Sequence, residues 1–459
     1  MIFKQYYLGC LSQASYLIGD TTTGRAVVVD PLRDIDQYVC DATANGLTIE
    51  RVIETHFHAD FLSGHLELAQ LGALISYGDA AVGRAEFAID PLAHGQRLSL
   101  GDVQLEVRAT PGHTPESISI VVYEHPGAPP FGVLTGDTLF IGDVGRPDLL
   151  VSVGVTADEL AECLYRSLHE QLMTLPDATK VYPAHGAGSA CGKNLSTDTM
   201  STIGEQRRTN YAVQPMSIEA FVEAVTQGQS VAPLYFSFAA NRNREVHELL
   251  DTHEPLAMLD LGQVLEAQAA GAVVLDSRES NEFAAGHLRG ALNVGLSGRF
   301  SEYTGEVVRA GTAIVLVGDA GTELEAKVRL GRIGFDDVIG ALADPVGAMG
   351  KHPEHVVRTS RVTAAELASL RASLPGLTVV DVRNVGELDG GVVPGSVNIP
   401  LPQLINRMDE LPREWPIVVH CAGGYRSSVA TSLLEQAGFP DVSDLIGGYT
   451  AWAALVARV

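Results

Sequence analysis

The sequence predicts a multidomain α/β protein: one layered α/β unit of about 240 residues, then two smaller α/β units. Three observations carry this. Residues 1–238 alternate short apolar strands with helix-like segments, and polar clusters stand where strands stop. Beyond them the chain repeats itself at a distance of about 105 residues. The length, 459 residues, fits three domains at about 150 residues each.

Composition narrows the function classes. Hydrophobic residues make up 46% and charged residues 19%, enough for sizeable cores and unlike a disordered or collagen-like chain. The formal charge of −25 excludes binding to nucleic acid or anionic membranes by bulk electrostatics. Five Cys are too few for a disulfide framework and leave one unpaired. The start, Met1-Ile2-Phe3-Lys4-Gln5-Tyr6, lacks a signal-peptide apolar region, and no run approaches the roughly 20 apolar residues of a membrane span. A cytoplasmic protein of a reducing compartment is expected.

Ser15–Gly19 and Ala26–Pro31 read as strands flanking the turn Thr21-Thr22-Thr23-Gly24. A helix is expected over about 35–44, then the strand Arg51-Val52-Ile53-Glu54, which stops at Thr55-His56-Phe57-His58-Ala59-Asp60. Alternate residues of an extended chain point the same way, so His56 and His58 can share a site. His113 follows a second apolar strand, Asp137 ends a third and His185 follows a fourth. Four His and two Asp at strand ends point to a metal site.

This pattern resembles the metallo-β-lactamase fold, which implies a four-layer αββα sandwich over residues 1–238. The usual motif is His-x-His-x-Asp-His, but the last position here is Phe61. An aromatic carbon ring cannot coordinate a metal, which favours one metal over two. Glu54–Asp60, Thr110–Pro115, Thr135–Phe140, Gly145–Asp148 and Tyr182–His185 resemble the persulfide dioxygenases. That resemblance implies Fe(2+), one per chain, held by His56, His113 and Asp137, with zinc as the alternative. His58, Asp60 and His185 then bind water or support the ligands. Two His and one carboxylate leave coordination positions open, as in non-haem iron oxygenases. Arg146 and Tyr182 lie in segments that contact the thiol carrier in that family. A guanidinium suits a carboxylate or a phosphate of such a carrier. Cys191 is a candidate auxiliary thiol; a small packed Cys is the equal alternative.

Asn241-Arg242-Asn243-Arg244-Glu245 reads as the start of a polar connector. The first repeat copy then carries Val273-Val274-Leu275-Asp276-Ser277-Arg278, and the second Val379-Val380-Asp381-Val382-Arg383. Each continues through strand and helix in an order that implies a parallel sheet. In the second copy, His420-Cys421-Ala422-Gly423-Gly424-Tyr425-Arg426 lies between a strand and a helix. Small residues let backbone N–H groups curl toward the sulfur, and the helix N-terminus favours thiolate. Arg426 can bind an anionic sulfur donor or acceptor. Cys and Arg are separated by four residues, a smaller ring than a Cys-dependent phosphatase uses. This copy resembles the rhodaneses. The first copy resembles them too, but Gly318 stands where Cys421 does, so a structural or docking role is expected.

The whole resembles persulfide dioxygenase–rhodanese fusions of bacterial sulfide detoxification. The expected organisation is 1–238 dioxygenase, 239–256 linker, 257–355 inactive rhodanese-like domain and 356–459 active rhodanese. The expected partners are a low-molecular-weight persulfide, O2, and sulfite or thiosulfate, with neither nucleic acid nor membrane, in a homo-oligomer (dimer or tetramer). Two rivals stay open: a glyoxalase II-like thioester hydrolase with two metals, and a non-enzymatic module that docks a sulfur carrier.

Overall fold

A computed structural model describes residues 1–149 and 154–457. They divide into two compact units. Unit 1 comprises Met1–Gln229 with Phe236–Leu250; unit 2 comprises Ser230–Tyr235 and the chain from Asp251 onward.

Unit 1 holds two six-stranded sheets. The first runs in sequence order, β1 (Ile2–Leu8), β2 (Gln13–Asp20), β3 (Arg25–Val29), β4 (Thr48–Ile53), β5 (Leu74–Gly78) and β6 (Asp90–Leu92). The second contains β7 (Arg97–Ser99), β8 (Gln104–Ala109), β9 (Ile118–Tyr123), β10 (Gly132–Gly136), β11 (Lys180–Pro183) and β12 (Ser201–Thr202), with each strand beside its sequence neighbour. Strand alternation sorts the side chains into layers. On β3, Val27 and Val29 enter the core between the sheets, where Leu105, Val107, Ile120 and Leu134 of the second sheet meet them. Ala26 and Val28 face the other way, beneath the helices Asp36–Ala44 and His65–Gln70. The outer face of the second sheet is covered by the helix Ala157–Arg166, through residues such as Ala161 and Leu164. The central strands of both sheets are thus covered on both faces, which gives the αββα order. Each fully buried Val, Leu or Ile contributes about 1.5–3 kcal/mol. The helix Ala157–Arg166 starts at a capping box, Thr156 with Glu159.

Unit 2 contains the repeat. Its first module has β13 (Met258–Leu259), β14 (Val273–Asp276), β15 (His287–Leu288), β16 (Leu292–Asn293), β17 (Ile314–Val317) and β18 (Val338–Leu342). Five of these form a sheet in the order β13-β18-β17-β14-β16; β15 instead pairs with β19 (Val356–Val357). The second module holds β20 (Ser360–Val362), β21 (Thr378–Asp381), β22 (Val397–Asn398), β23 (Ile417–His420) and β24 (Val442–Leu445), ordered β20-β24-β23-β21-β22. The pairings within both five-stranded sheets are parallel. The repeat extends to polar detail. Arg278 pairs with Asp276 as Arg383 does with Asp381. The Asn293 amide donates to the carbonyls of Asp276 and Arg278, and that of Asn398 to those of Asp381 and Arg383.

The segment expected to open a connector is instead folded into unit 1 as far as Leu250. Asn243 is fully buried there. Among the described residues, no helix is long and apolar enough to cross a membrane.

Candidate metal centre and sulfur-transfer loop

β4 ends at Ile53, and the chain then turns through a buried loop. His56 on that loop, His113 after β8 and Asp137 after β10 converge, with one ligand atom from each lying within 4.8 Å of the others. His113 Nε2 is 3.5 Å and His56 Nε2 4.0 Å from Asp137 Oδ2. Each imidazole is oriented from behind. His113 Nδ1–H donates to the Arg146 carbonyl at 2.8 Å, so Nε2 presents a lone pair to the centre. His56 Nδ1 lies 3.0 Å from Thr55 Oγ1. A side chain at Gly145 would run into the Asp137 carbonyl, so the loop bearing Arg146 approaches only with glycine there.

These residues could hold a metal ion. His56 Nε2 and both Asp137 carboxylate oxygens are buried without a hydrogen-bond partner, a costly arrangement that a cation would satisfy. Burial and the neighbouring imidazoles hold His56 well below its usual range, so it is neutral and able to ligate.

His58 does not join this group. Its Nε2 turns to Asp30 Oδ1 at 3.0 Å and Glu54 Oε2 at 3.4 Å. Against the cost of burial, these carboxylates raise it well above the usual imidazole range. Burial pushes Glu54 up to about 7. The His56 and His58 rings lie 4.1 Å apart, although the chain past β4 is no longer strand. Asp60, His185 and Cys191 form a third group within 4.8 Å. His185 Nε2 lies 3.3 Å from Asp60 and 3.4 Å from Asp137, while its Nδ1–H donates to the Ser12 carbonyl at 3.1 Å. Burial, with Asp60 and Asp137 nearby, pushes the Cys191 thiol well up. Phe61 is buried, with its ring 4.3 Å from that of His58.

The two proposed substrate contacts are occupied. Arg146 donates from Nε and Nη2 to Asp148 at 2.6 and 2.8 Å, and from Nη1 to the Ala190 carbonyl at 3.1 Å. It therefore ties the loop before residue 150 to the Cys191 loop. The Tyr182 ring packs in the core between the sheets, with ring centroids 4.7 Å from Phe3 and 5.9 Å from Tyr16.

Three supports escaped the sequence reading. Asp30 has a left-handed backbone (φ 50°) and accepts from Thr55 N at 2.7 Å and Thr55 Oγ1 at 2.9 Å. Ser12, also left-handed (φ 52°), presents its carbonyl to His185. Asn243 donates to the carbonyls of His58 and Phe61 at 2.8 and 2.7 Å and accepts from Ser63 N at 2.9 Å. Asp30-Pro31 at a strand end was the one visible signal; Ser12 and Asn243 gave none.

In unit 2, Cys421 directly follows β23 and is buried. Gly424, left-handed at φ 110°, donates its N–H to Cys421 Sγ at 3.1 Å, and Ser427 Oγ lies 3.8 Å away. The helix Tyr425–Gln436 begins at this loop, so its positive end lies beside the Cys421 segment. Arg426 spans Glu387 with both nitrogens, at 2.6 and 2.7 Å, so an anionic donor must share the guanidinium. Asp276 pairs with Val317 and Asp381 with His420, which makes Gly318 the counterpart of Cys421. The space a side chain would take at Gly318 is filled by Ser277 and Thr322 hydroxyls.

Comparison with known proteins agrees with both halves. The family model for the metallo-beta-lactamase superfamily matches residues 8–185, and that for the rhodanese-like domain matches 260–343 and 363–455. The chain is similar to persulfide dioxygenase ETHE1, mitochondrial, from Bos taurus, at 31% identity over 50% of this chain and 82% of the relative. The Homo sapiens protein of that name is 30% identical over 53% and 87%. The cytoplasmic hydroxyacylglutathione hydrolase of Arabidopsis thaliana is 34% identical over 40% and 67%. A crystal structure of a metallo-beta-lactamase from Staphylococcus aureus covers 74% of this chain and 98% of its own, at 34% identity and a TM-score of 0.67.

Proposed function

Because the chain belongs to the metallo-beta-lactamase superfamily, with persulfide dioxygenases among its relatives and two rhodanese-like domains behind, we propose that it oxidises low-molecular-weight persulfides and transfers sulfane sulfur. The net oxidation is RSSH + O2 + H2O → RSH + HSO3− + H+. The observation that carries it is the buried His56–His113–Asp137 group, a one-metal donor set of two imidazoles and a carboxylate, with Phe61 where the usual motif has its last His. Bound Fe(2+) would supply the redox chemistry by which O2 oxidises the terminal sulfur. The chain's own residues do the rest. Thr55 and the Arg146 carbonyl fix the two imidazoles, and Asp60 and His185 offer polar atoms beside Asp137 for water.

In unit 2, Cys421 thiolate attacks the outer sulfur of thiosulfate; the S–S bond breaks and sulfite leaves with the electron pair, so Cys421 holds a persulfide. The reverse step forms thiosulfate. The first rhodanese-like module has Gly318 at that position and cannot hold sulfur. The domain boundaries proposed are 1–238, 257–355 and 356–459, although the structure folds residues as far as Leu250 into unit 1. Similarity to a hydroxyacylglutathione hydrolase supports a thioesterase as the second reading.

The test is metal analysis of anaerobically purified protein with oxygen uptake on glutathione persulfide. About one iron per chain and oxygen uptake are expected, an estimate from ligand count. Two tightly held zincs with thioester turnover would establish the hydrolase instead.

A further inference from the structure

The first rhodanese-like module lacks a nucleophile, yet it grips the loop that carries the second module's. Tyr425 is the fourth residue after Cys421 and stands immediately before Arg426. Its ring lies against residues 295–298 of the first module. Its hydroxyl donates to the Gly295 carbonyl, and its ring is 5.3 Å from that of Tyr303 on the helix Phe300–Val307. A Cβ added at Gly298 would meet three atoms first: Cε2, Cζ and the hydroxyl oxygen of Tyr425. Gly298 is not left-handed, so the ring, and not the path of the chain, calls for glycine there. The socket is braced from behind. Arg329 donates from Nη1 to the Leu296 carbonyl at 2.5 Å and from Nη2 to the Gly298 carbonyl at 2.7 Å, and Leu296 N–H donates to the Ser277 carbonyl at 2.8 Å.

The contact continues along one face of the helix Tyr425–Gln436, because residues 425, 428 and 432 recur at helical spacing. Ser428 Oγ donates to Asn293 Oδ1 at 2.7 Å, and Asn293 N donates to Ser432 Oγ at 2.9 Å. The Asn293 amide nitrogen is held by the Asp276 and Arg278 carbonyls, which fixes its oxygen toward Ser428. Gly424, whose N–H donates to Cys421 Sγ at 3.1 Å, immediately precedes Tyr425. The residue that addresses the sulfur and the arginine read as the donor's partner thus flank the residue seated in the other module.

We propose that Tyr425 is a positioning residue of the Cys421 site and that the first module supplies its socket at Gly298, so that the module without a nucleophile sets the shape of the sulfur-transfer loop. This rests on Cys421 being the sulfur-transferring thiol. A ring held at its edge and its hydroxyl fixes the backbone between Gly424 and Arg426 and keeps the Gly424 N–H aimed at Sγ. Burial raises the Tyr425 phenol well above its usual range, so the anchor does not titrate near neutral pH.

Gly298→Ala leaves every residue of the Cys421 loop in place and fills the socket with a methyl group. In the full chain, sulfur transfer from thiosulfate to cyanide is measured per folded protein, with circular dichroism to check the fold. Amide hydrogen exchange is read on the peptide that contains Gly424. Misplacing catalytic groups by about 1 Å costs up to about 100-fold, so Gly298→Ala should lower kcat/KM by about 10–100-fold and speed exchange in that peptide. Tyr425→Ala should do the same, while Tyr425→Phe keeps the ring in the socket and should keep most of the activity. With the ring gone, a methyl group at position 298 displaces nothing, so the double variant should match Tyr425→Ala alone. Gly298→Ala within about twofold of wild type overturns the proposal, given the 10–100-fold expected. A further loss in the double variant, or equal losses in Tyr425→Phe and Tyr425→Ala, also overturns it. Should Gly298→Ala not fold, adding Tyr425→Ala must restore folding, and failure to do so overturns it likewise. The expected exchange pattern across these variants, with no sulfur transfer from thiosulfate even in wild type, would support the socket and overturn the sulfurtransferase reading.

Discussion

Replacing Asp30 by Asn should weaken metal binding at a site Asp30 does not touch. Asp30 Oδ2 accepts from Thr55 Oγ1 at 2.9 Å, so that hydroxyl's proton is committed and its lone pair accepts from His56 Nδ1–H at 3.0 Å. The chain fixes the His56 tautomer with Nε2 free to ligate. Asn keeps the left-handed backbone, since Asn tolerates φ near 50° as Asp does. It cannot keep the hydrogen bonds. With its amide nitrogen at the Oδ2 position, it donates to Thr55 Oγ1, which turns its proton onto His56 Nδ1 and forces the wrong tautomer. With the amide flipped, the nitrogen confronts Thr55 N–H at 2.7 Å and His58 Nε2 at 3.0 Å. Loss of a group that orients a ligand costs about 10–100-fold in metal affinity, or about 1.4–2.7 kcal/mol. Competition with a chromophoric chelator under anaerobic conditions measures it, with circular dichroism to confirm the fold. Thr55→Val removes the same relay at similar volume and should match. Folded Asp30→Asn protein with metal affinity within about twofold of wild type would refute the relay, given the 10–100-fold expectation.

Asn243→Ala should destabilise unit 1 by about 3 kcal/mol in denaturant melts and lower metal affinity, because two carbonyls and the Ser63 N–H lose a buried partner. Unchanged unfolding would show that the loop holds itself. Cys421→Ser should abolish sulfane transfer while oxygen uptake on a small persulfide continues and the product shifts toward sulfite. Asp319→Ala, in the exposed loop of the first module, should change neither; undiminished thiosulfate yield in Cys421→Ser would move its formation to unit 1. Burial pushes Glu435 up to about 7, against the hydrogen bond from Thr359. Its folded form binds the proton more tightly than the unfolded chain, so this stabilisation is complete below about pH 4.5 and lost as pH rises through about 7. Wild type should therefore lose about 1–2 kcal/mol relative to Glu435→Gln between pH 5 and 8, after allowance for its partly exposed side chain. Parallel slopes of unfolding free energy against pH would contradict this.

The sequence by itself determined the order of the units, the repeat, and the residue types of both sites. Strand alternation and turn residues act locally, and a thiol before a helix or an imidazole after a strand is legible from neighbours alone. His56, His113, Asp137, His185 and Cys421 were singled out that way. The tertiary structure decided the rest, because it depends on what distant segments bring. It turned His58 to Asp30 and Glu54, tied Arg146 to Asp148, put Tyr182 in the core between the sheets and spanned Arg426 with Glu387. A charged side chain in a sequence shows its chemistry but not its partner, and burial makes the partner decisive: away from water, an unpaired polar group costs more than its own hydrogen bond returns. For the same reason Asn243, 180 residues from Ser63, was unreadable as a support of the metal loop.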